Sequence, residues 1–363
     1  MKWSDDLALD NQDLWPRAQI QLAMYAIHLS CGHNIYCRQL KANTIEQYVS
    51  AVALFLKKFS GVDFRKDAPS DSHFGQHLAP VFKELRRYET VPDRREPYTP
   101  LMHEEVRRDA AKSSVLHLVP ALADFFEQGL LAGYRLSEWA QPGTRSDVGN
   151  PQRHTLPGVP VSTRALVPLD IRCTTTDYQR AKGLDILNFP VTSIASIWIK
   201  FRVQKNGHNG EERQFVRNPN DEGYCMVRSM YRVLSRYKHV MRLDNRVDPS
   251  VTPLGLYWNP YSLKAQLITS TEIESYMRLI AARVYRLDPV ADEDDIRRWG
   301  SHSLRVGACV VLHAQGFQAL DIQWLLRWRS LAFMMYLRNV GTLSQRQVEA
   351  VDREAAMPNF FQA

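Results

Sequence analysis

Apolar residues recur at helical spacing along the first ninety positions. Leu14, Ile20, Leu22, Ala23, Tyr25, Ala26 and Leu29 share a face of a helix expected over 14–30. Ile45, Val49, Val52 and Phe55 or Leu56 repeat the spacing in a second helix, which opens at Thr44-Ile45-Glu46-Gln47 and stops before Gly61. Thr44 and Gln47 fit a capping box, in which each side chain satisfies the other's free backbone N–H. A third helix is expected over 80–89, and no strand pattern intervenes. The spacing predicts a helical module over residues 1–92.

Beyond it the pattern changes. Residues 91–100 hold Pro92, Pro97 and Pro100 among four charges, which reads as a linker over 93–100. A helix is expected over 114–130, ending near Ala132-Gly133. Residues 142–165, rich in Pro, Gly, Ser, Thr and Arg, predict a long loop or insertion. Ile197 to Gln204 alternates like a half-buried strand. Lys205-Asn206-Gly207-His208-Asn209-Gly210 contains Asn-Gly, and Arg213-Gln214-Phe215-Val216 can return as a second strand, a β-hairpin signal. From about 222 the pattern is helical again, broken at Pro253, Pro260 and Pro289. The expected fold is mainly α with a small β-sheet: a second, α-rich domain over 101–341, then a tail over 342–363. In that tail Val348, Val351 and Ala355 could share one face of an amphipathic helix.

Composition narrows the class. The 363 residues are 45% hydrophobic and 23% charged, an ordinary globular balance. Lys and Arg exceed Asp and Glu by 46 to 39, giving +7, which permits a polyanionic partner without demanding one. Five scattered cysteines, Cys31, Cys37, Cys173, Cys225 and Cys309, argue against a disulfide framework and for a reducing compartment. No apolar run approaches a membrane span, and Met1-Lys2-Trp3-Ser4-Asp5-Asp6 has no secretory character. An intracellular protein is expected: nuclear in a eukaryote, in the cytoplasm or nucleoid of a bacterium. Cys31, His33 and Cys37 lack a matching pair of ligands, so no metal is expected.

The densest chemistry lies late in the chain. Ser301-His302-Ser303-Leu304-Arg305-Val306-Gly307 opens a helix expected to run to about His313, with Gly316 as its stop. His302 and Arg305 stand three apart on one face. A guanidinium fork matches two phosphate oxygens, and an imidazole moves protons near neutral pH. Alone, such a pair is more often a solvated surface feature. It has company: Leu131-Ala132-Gly133-Tyr134-Arg135-Leu136-Ser137-Glu138-Trp139 upstream, and Leu325-Leu326-Arg327-Trp328-Arg329-Ser330 then Phe333-Met334-Met335-Tyr336 downstream.

In these boxes and their order the chain resembles the tyrosine recombinase, or phage-integrase-like, family. Gly133 to Glu138 is similar to the family's first-arginine box, His302 to Arg305 to its HxxR box, Trp328 to its His-or-Trp position and Tyr336 to its nucleophile. The Trp328-to-Tyr336 spacing of eight resembles recombinases of eukaryotic mobile elements, such as Cryptons and tyrosine-recombinase retrotransposons. The resemblance implies a helical core-binding domain over 1–92 and a catalytic domain over 101–341. It also implies strand cleavage and rejoining through a 3′-phosphotyrosyl link, with no ATP, metal or other cofactor.

Arg135 and Arg305 would favour the Tyr336 phenolate and neutralise charge on the phosphorane-like transition state. His302 would assist proton transfer or hold a non-bridging oxygen. Trp328 would donate its indole N–H to phosphate or pack against the nucleophile's helix. Glu138, one turn on, could hold Arg135. A hairpin lysine would protonate the leaving 5′-oxygen: Lys205 at the tip is the candidate and Lys200 the alternative. The 70 positions between Arg135 and Lys205 suggest an insertion within 142–190.

The partner implied is double-stranded DNA, clamped between the two domains. Contact candidates are Arg38, Lys41, Lys57, Lys58, Arg65, Lys66, Arg86 and Arg87 in the first domain, and Arg202, Arg213, Arg217, Lys238 and Arg242 in the second. The tail would dock on a neighbour in a tetramer joining two DNA sites, or pack in cis. A type IB topoisomerase-like enzyme and an inactive, domesticated DNA-binding protein are the alternatives.

Overall fold

The computed structural model describes residues 11–33, 40–67, 73–88, 95–141, 165–202, 209–328 and 330–337. The chain divides into two compact units, Met1–Asp93 and Arg94–Ala363.

The first unit packs α1 (Asn11–Ser30), α2 (Ala42–Ser60) and α3 (Leu78–Arg87) around Leu22, Ala26, Leu29, Ile45, Val49, Ala53, Leu78 and Phe82. α2 ends where the sequence indicates, with Gly61 in the left-handed region (φ 75°) donating its N–H to the Lys57 carbonyl at 2.8 Å. Its start differs. The cap position is Lys41, with no side-chain cap, and Thr44 lies inside the first turn, so the Thr44/Gln47 box does not form. The buried stripe is Ala42, Ile45, Val49 and Ala53; Val52 and Phe55 are 37% and 62% exposed. Val52 sits about 100° round the helix from Ala53, off the stripe.

The second unit contains α4 (Pro100–Ala110), α5 (Leu118–Ala132), β1 (Ile171–Thr175), β2 (Arg180–Lys182), β3 (Ile194–Phe201), β4 (Glu211–Val216), α6 (Met226–Leu243), β5 (Leu256–Asn259), β6 (Lys264–Leu267), α7 (Ser270–Tyr285), α8 (Glu293–Ile296), α9 (Ser303–Ala314), α10 (Ala319–Leu325) and α11 (Met334–Leu337). It is mainly helical with a small antiparallel sheet, as expected, in the order β2-β1-β3-β4, plus the separate hairpin β5-β6. β3 and β4 pair from Ser196↔Val216 to Phe201↔Glu211, the hairpin read from the sequence. Its tip, residues 203–208 with Lys205, lies outside the described residues, as do residues 142–164 and the tail from 338.

Two segments differ from expectation. Residues 171–182, assigned to an insertion, supply β1 and β2 of the main sheet. Residues 95–99, assigned to the linker, join the second unit. Tyr98 is fully buried and its N–H donates to the Ser303 carbonyl at 2.9 Å. Gly307 permits that approach, because a Cβ there would lie 2.0 Å from the Tyr98 carbonyl oxygen.

An ionic clasp, with Asp124, Glu127 and Arg236 buried and Arg232 at its exposed edge, joins α5 to α6. Asp124 pairs with Arg236 and, at 2.5 Å, with Arg232; Glu127 accepts from Arg232 at 2.8 Å and from the Cys225 N–H at 2.8 Å. This fixes α5, whose C-terminal end opens into the candidate site.

Candidate active site

α5 stops at Gly133, which adopts φ 57° and donates its N–H to the Gly129 carbonyl at 2.8 Å. A Cβ at this position would sit 2.9 Å from a Leu326 methyl, so glycine is required twice over. The chain then turns through Tyr134, which is buried, into a short 3-10 turn over Leu136–Glu138. Glu138 folds back on this turn. Its carboxylate accepts the Arg135 amide N–H at 2.9 Å and the Arg135 side chain at 3.3 Å.

Arg305 enters from the first turn of α9 and is 3% exposed. It donates to the Gly133 carbonyl at 2.6 Å and to the Arg327 carbonyl at 3.2 Å. Arg135 donates to the same Arg327 oxygen at 3.1 Å. Two guanidinium groups from segments 170 positions apart therefore converge on one acceptor.

That acceptor belongs to a residue the sequence reading passed over. Arg327 lies in the left-handed region (φ 56°), uncommon for a residue with a Cβ. Its own guanidinium is buried, pairs with both Glu138 oxygens at 2.8 and 2.9 Å, and rests 3.5 Å from the centre of the Phe201 ring at the end of β3. The available signal was an arginine placed between Leu325-Leu326 and Trp328, where a buried charge must find a partner.

The cluster thus holds three guanidinium groups and one carboxylate. Burial alone would raise the Glu138 pKa, but the charge and hydrogen bonds of Arg327, with those of Arg135, outweigh it and hold the carboxyl below its ordinary value. Burial and the charges of Arg135 and Arg327 lower Arg305 to about 9, so it still carries its proton at neutral pH. The net excess of positive charge, with Arg305, Arg327 and Glu138 buried and Arg135 partly exposed, suits an anion.

Nε2 of His302 lies 3.0 Å from the Tyr336 hydroxyl. His302 precedes α9, and burial with repulsion from Arg305 and Arg95 lowers its pKa to about 4. The imidazole is neutral at pH 7 and can accept the phenol's proton. Burial and the neighbouring Cys309 raise the Tyr336 pKa, and Arg305 pulls against them without prevailing, so the resting group is a phenol. Tyr336 is held by its neighbours in α11 and the turn before it, since Phe333 and Leu337 are buried. Trp328 packs among these groups: the Arg305 guanidinium lies 4.3 Å from its ring, and the His302 and Tyr336 rings are each 6.1 Å away. Its indole N–H is buried and lies toward the Cys309 sulfur.

The site thus brings together Arg135, Glu138, His302, Arg305, Trp328 and Tyr336. Lys205 lies outside the described residues, and Lys200 is exposed on β3. Of the DNA-contact candidates, Arg38 also lies outside them. Lys41, Lys57 and Lys58 are exposed around α2, Arg86 pairs with Glu46, and Arg87 lies 3.7 Å from Glu84. Arg202 is engaged by Asp170 at 3.0 Å and by the Ala165 carbonyl at 3.2 Å. Among the described residues no group of three His, Cys, Asp or Glu could hold a metal, and no helix is long and apolar enough to cross a membrane.

No family model matches the chain, and no curated protein does. Solved structures resemble it at low identity. The Tn1549 transposon integrase in complex with transposon right end DNA is 12% identical with a TM-score of 0.42, over 93% of this chain and 85% of that one. The XerH site-specific recombinase bound to a palindromic difH substrate is 14% identical with a TM-score of 0.43, over 92% and 71%. The XerA recombinase is 11% identical with a TM-score of 0.34, over 95% and 94%. At these scores each is a likeness and no more.

Proposed function

We propose that the chain is a tyrosine-type site-specific DNA recombinase or integrase, with duplex DNA as its substrate. The observation that carries this reading is the convergence of Arg135 and Arg305 on one oxygen, beside the His302–Tyr336 pair. Paired forks of N–H donors with surplus positive charge suit a phosphodiester, and a phenol hydrogen-bonded to a neutral imidazole suits attack on it.

In this reading the Tyr336 oxygen attacks phosphorus while His302 Nε2 takes the phenol proton. The bond from phosphorus to the 5′-oxygen breaks, leaving a 3′-phosphotyrosyl link and a 5′-hydroxyl. Arg135 and Arg305 hold the non-bridging oxygens as charge builds on them. Trp328 packs against Arg305, His302 and Tyr336 and so keeps them in register. A hairpin lysine, Lys205 or else Lys200, protonates the departing oxygen. The link conserves the energy of the phosphodiester, so the reverse attack by a 5′-hydroxyl rejoins DNA. Exchange between two sites implies a tetramer, and the Trp328-to-Tyr336 spacing supports placing the chain near the Crypton branch.

Covalent trapping tests this. Full-length protein is incubated with nicked suicide duplexes built from the DNA flanking its gene, then run on a denaturing gel. A stable protein–DNA adduct that Tyr336→Phe abolishes supports the reading. Salt-sensitive DNA binding without any adduct would instead favour the inactive, domesticated binding protein.

A further inference from the structure

Glu138 poses an electrostatic problem for an anion site. It is a buried carboxylate in contact with Arg135, and unless neutralised it would compete with any incoming phosphate for that guanidinium. Arg327 solves it. Both Glu138 oxygens are taken by the Arg327 fork at 2.8 and 2.9 Å, while the Arg135 guanidinium reaches Oε1 by a longer contact at 3.3 Å.

The backbone of Arg327 acts in the same direction. Its carbonyl is the shared acceptor of Arg135 and Arg305, and the left-handed conformation lets side chain and carbonyl serve the site together. The Phe201 ring backs the guanidinium on its apolar side.

We infer that Arg327 is a positioning residue that neutralises Glu138 and so keeps Arg135 and Arg305 aligned for a tetrahedral oxyanion. It acts through Glu138 and does not touch the anion itself. The inference rests on reading the site as a phosphate site, and the test separates the two.

The experiment uses the full chain and inorganic phosphate as the probe, read by the shift of the unfolding midpoint with phosphate concentration. The affinity left in Arg305→Ala is subtracted as binding elsewhere. Arg327→Gln leaves Glu138 uncompensated and should weaken phosphate binding on the order of tenfold. Arg327→Gln with Glu138→Gln removes the stray charge, keeps an acceptor for Arg135, and should return the affinity to within about threefold of wild type.

A double variant as weak as the single one overturns the inference, because Arg327 would then contact the anion directly. So does an unchanged single variant, or wild type with no Arg305-dependent phosphate binding. If Arg327→Gln fails to fold, the double variant alone decides, by the same criterion. The trapping assay is run on the same proteins. Recovery of phosphate binding with no adduct from wild type would refute the recombinase reading and leave the role of Arg327 standing.

Discussion

His302 and Tyr336 are joined by a 3.0 Å hydrogen bond between Nε2 and the phenol oxygen, across 34 positions of sequence. The imidazole is neutral and the phenol protonated, so the pair stands ready to pass one proton from oxygen to nitrogen. A base must be unprotonated to act. Adduct formation should therefore hold level from pH 8 to 6 and fall as pH drops through about 4, where His302 takes up a proton. Single-turnover trapping across that range measures it. His302→Asn should lower the rate by roughly 10²- to 10⁴-fold.

Folding stability should show a related limb. His302 and the fully buried His103 have pKa values lowered to about 4 and about 3, against 6.5 for an ordinary histidine. The unfolded chain therefore binds protons first. The stability these groups contribute is complete above 6.5 and is lost as pH falls toward their folded values. Each makes the slope about 1.4 kcal/mol per pH unit within the window. Urea titrations between pH 7 and 5 should show His103→Asn removing about half of it.

Gly133→Ala should destabilise the second unit by about 2–3 kcal/mol, combining a left-handed alanine with a collision at Leu326. The Gly133 carbonyl accepts Arg305, so adduct formation should fall further than stability explains. Denaturation midpoints and trapping rates on one preparation separate the two effects.

Much of the site could be read from the chain because its signals are local. Arg135 and Glu138 stand one turn apart, as do His302 and Arg305, and Tyr336 follows Trp328 by eight. Arg327 escaped because its meaning depends on a chain reversal that sets it against Glu138, 189 positions earlier. β1 and β2 escaped because they span five and three residues, and β2 buries none of them. The linker was misjudged at its end, since proline both breaks helices and begins them. Pro100 opens α4, with Thr99 as its cap accepting the Met102 N–H at 3.3 Å. Thr44 misled for a kindred reason, because its composition suits a cap and the interior of a first turn alike.

Asp124→Asn should cost about 3–5 kcal/mol, because it leaves Arg236 buried without its carboxylate. The clasp holds α5, which carries the Gly133 end of the site, so chemical denaturation of this variant should also unmask the Tyr336 phenol to solvent at lower urea.

The order in which the ribosome releases these residues now matters. Glu138 and Arg135 leave the exit tunnel together, but Arg327 follows 189 positions later and Tyr336 after that. Until then the carboxylate lacks the Arg327 guanidinium, Arg135 and Arg305 lack their shared carbonyl, and His302 lacks its phenol partner. A nascent or truncated chain lacks the assembled cluster, and the His302–Tyr336 pair forms only when α11 closes over it.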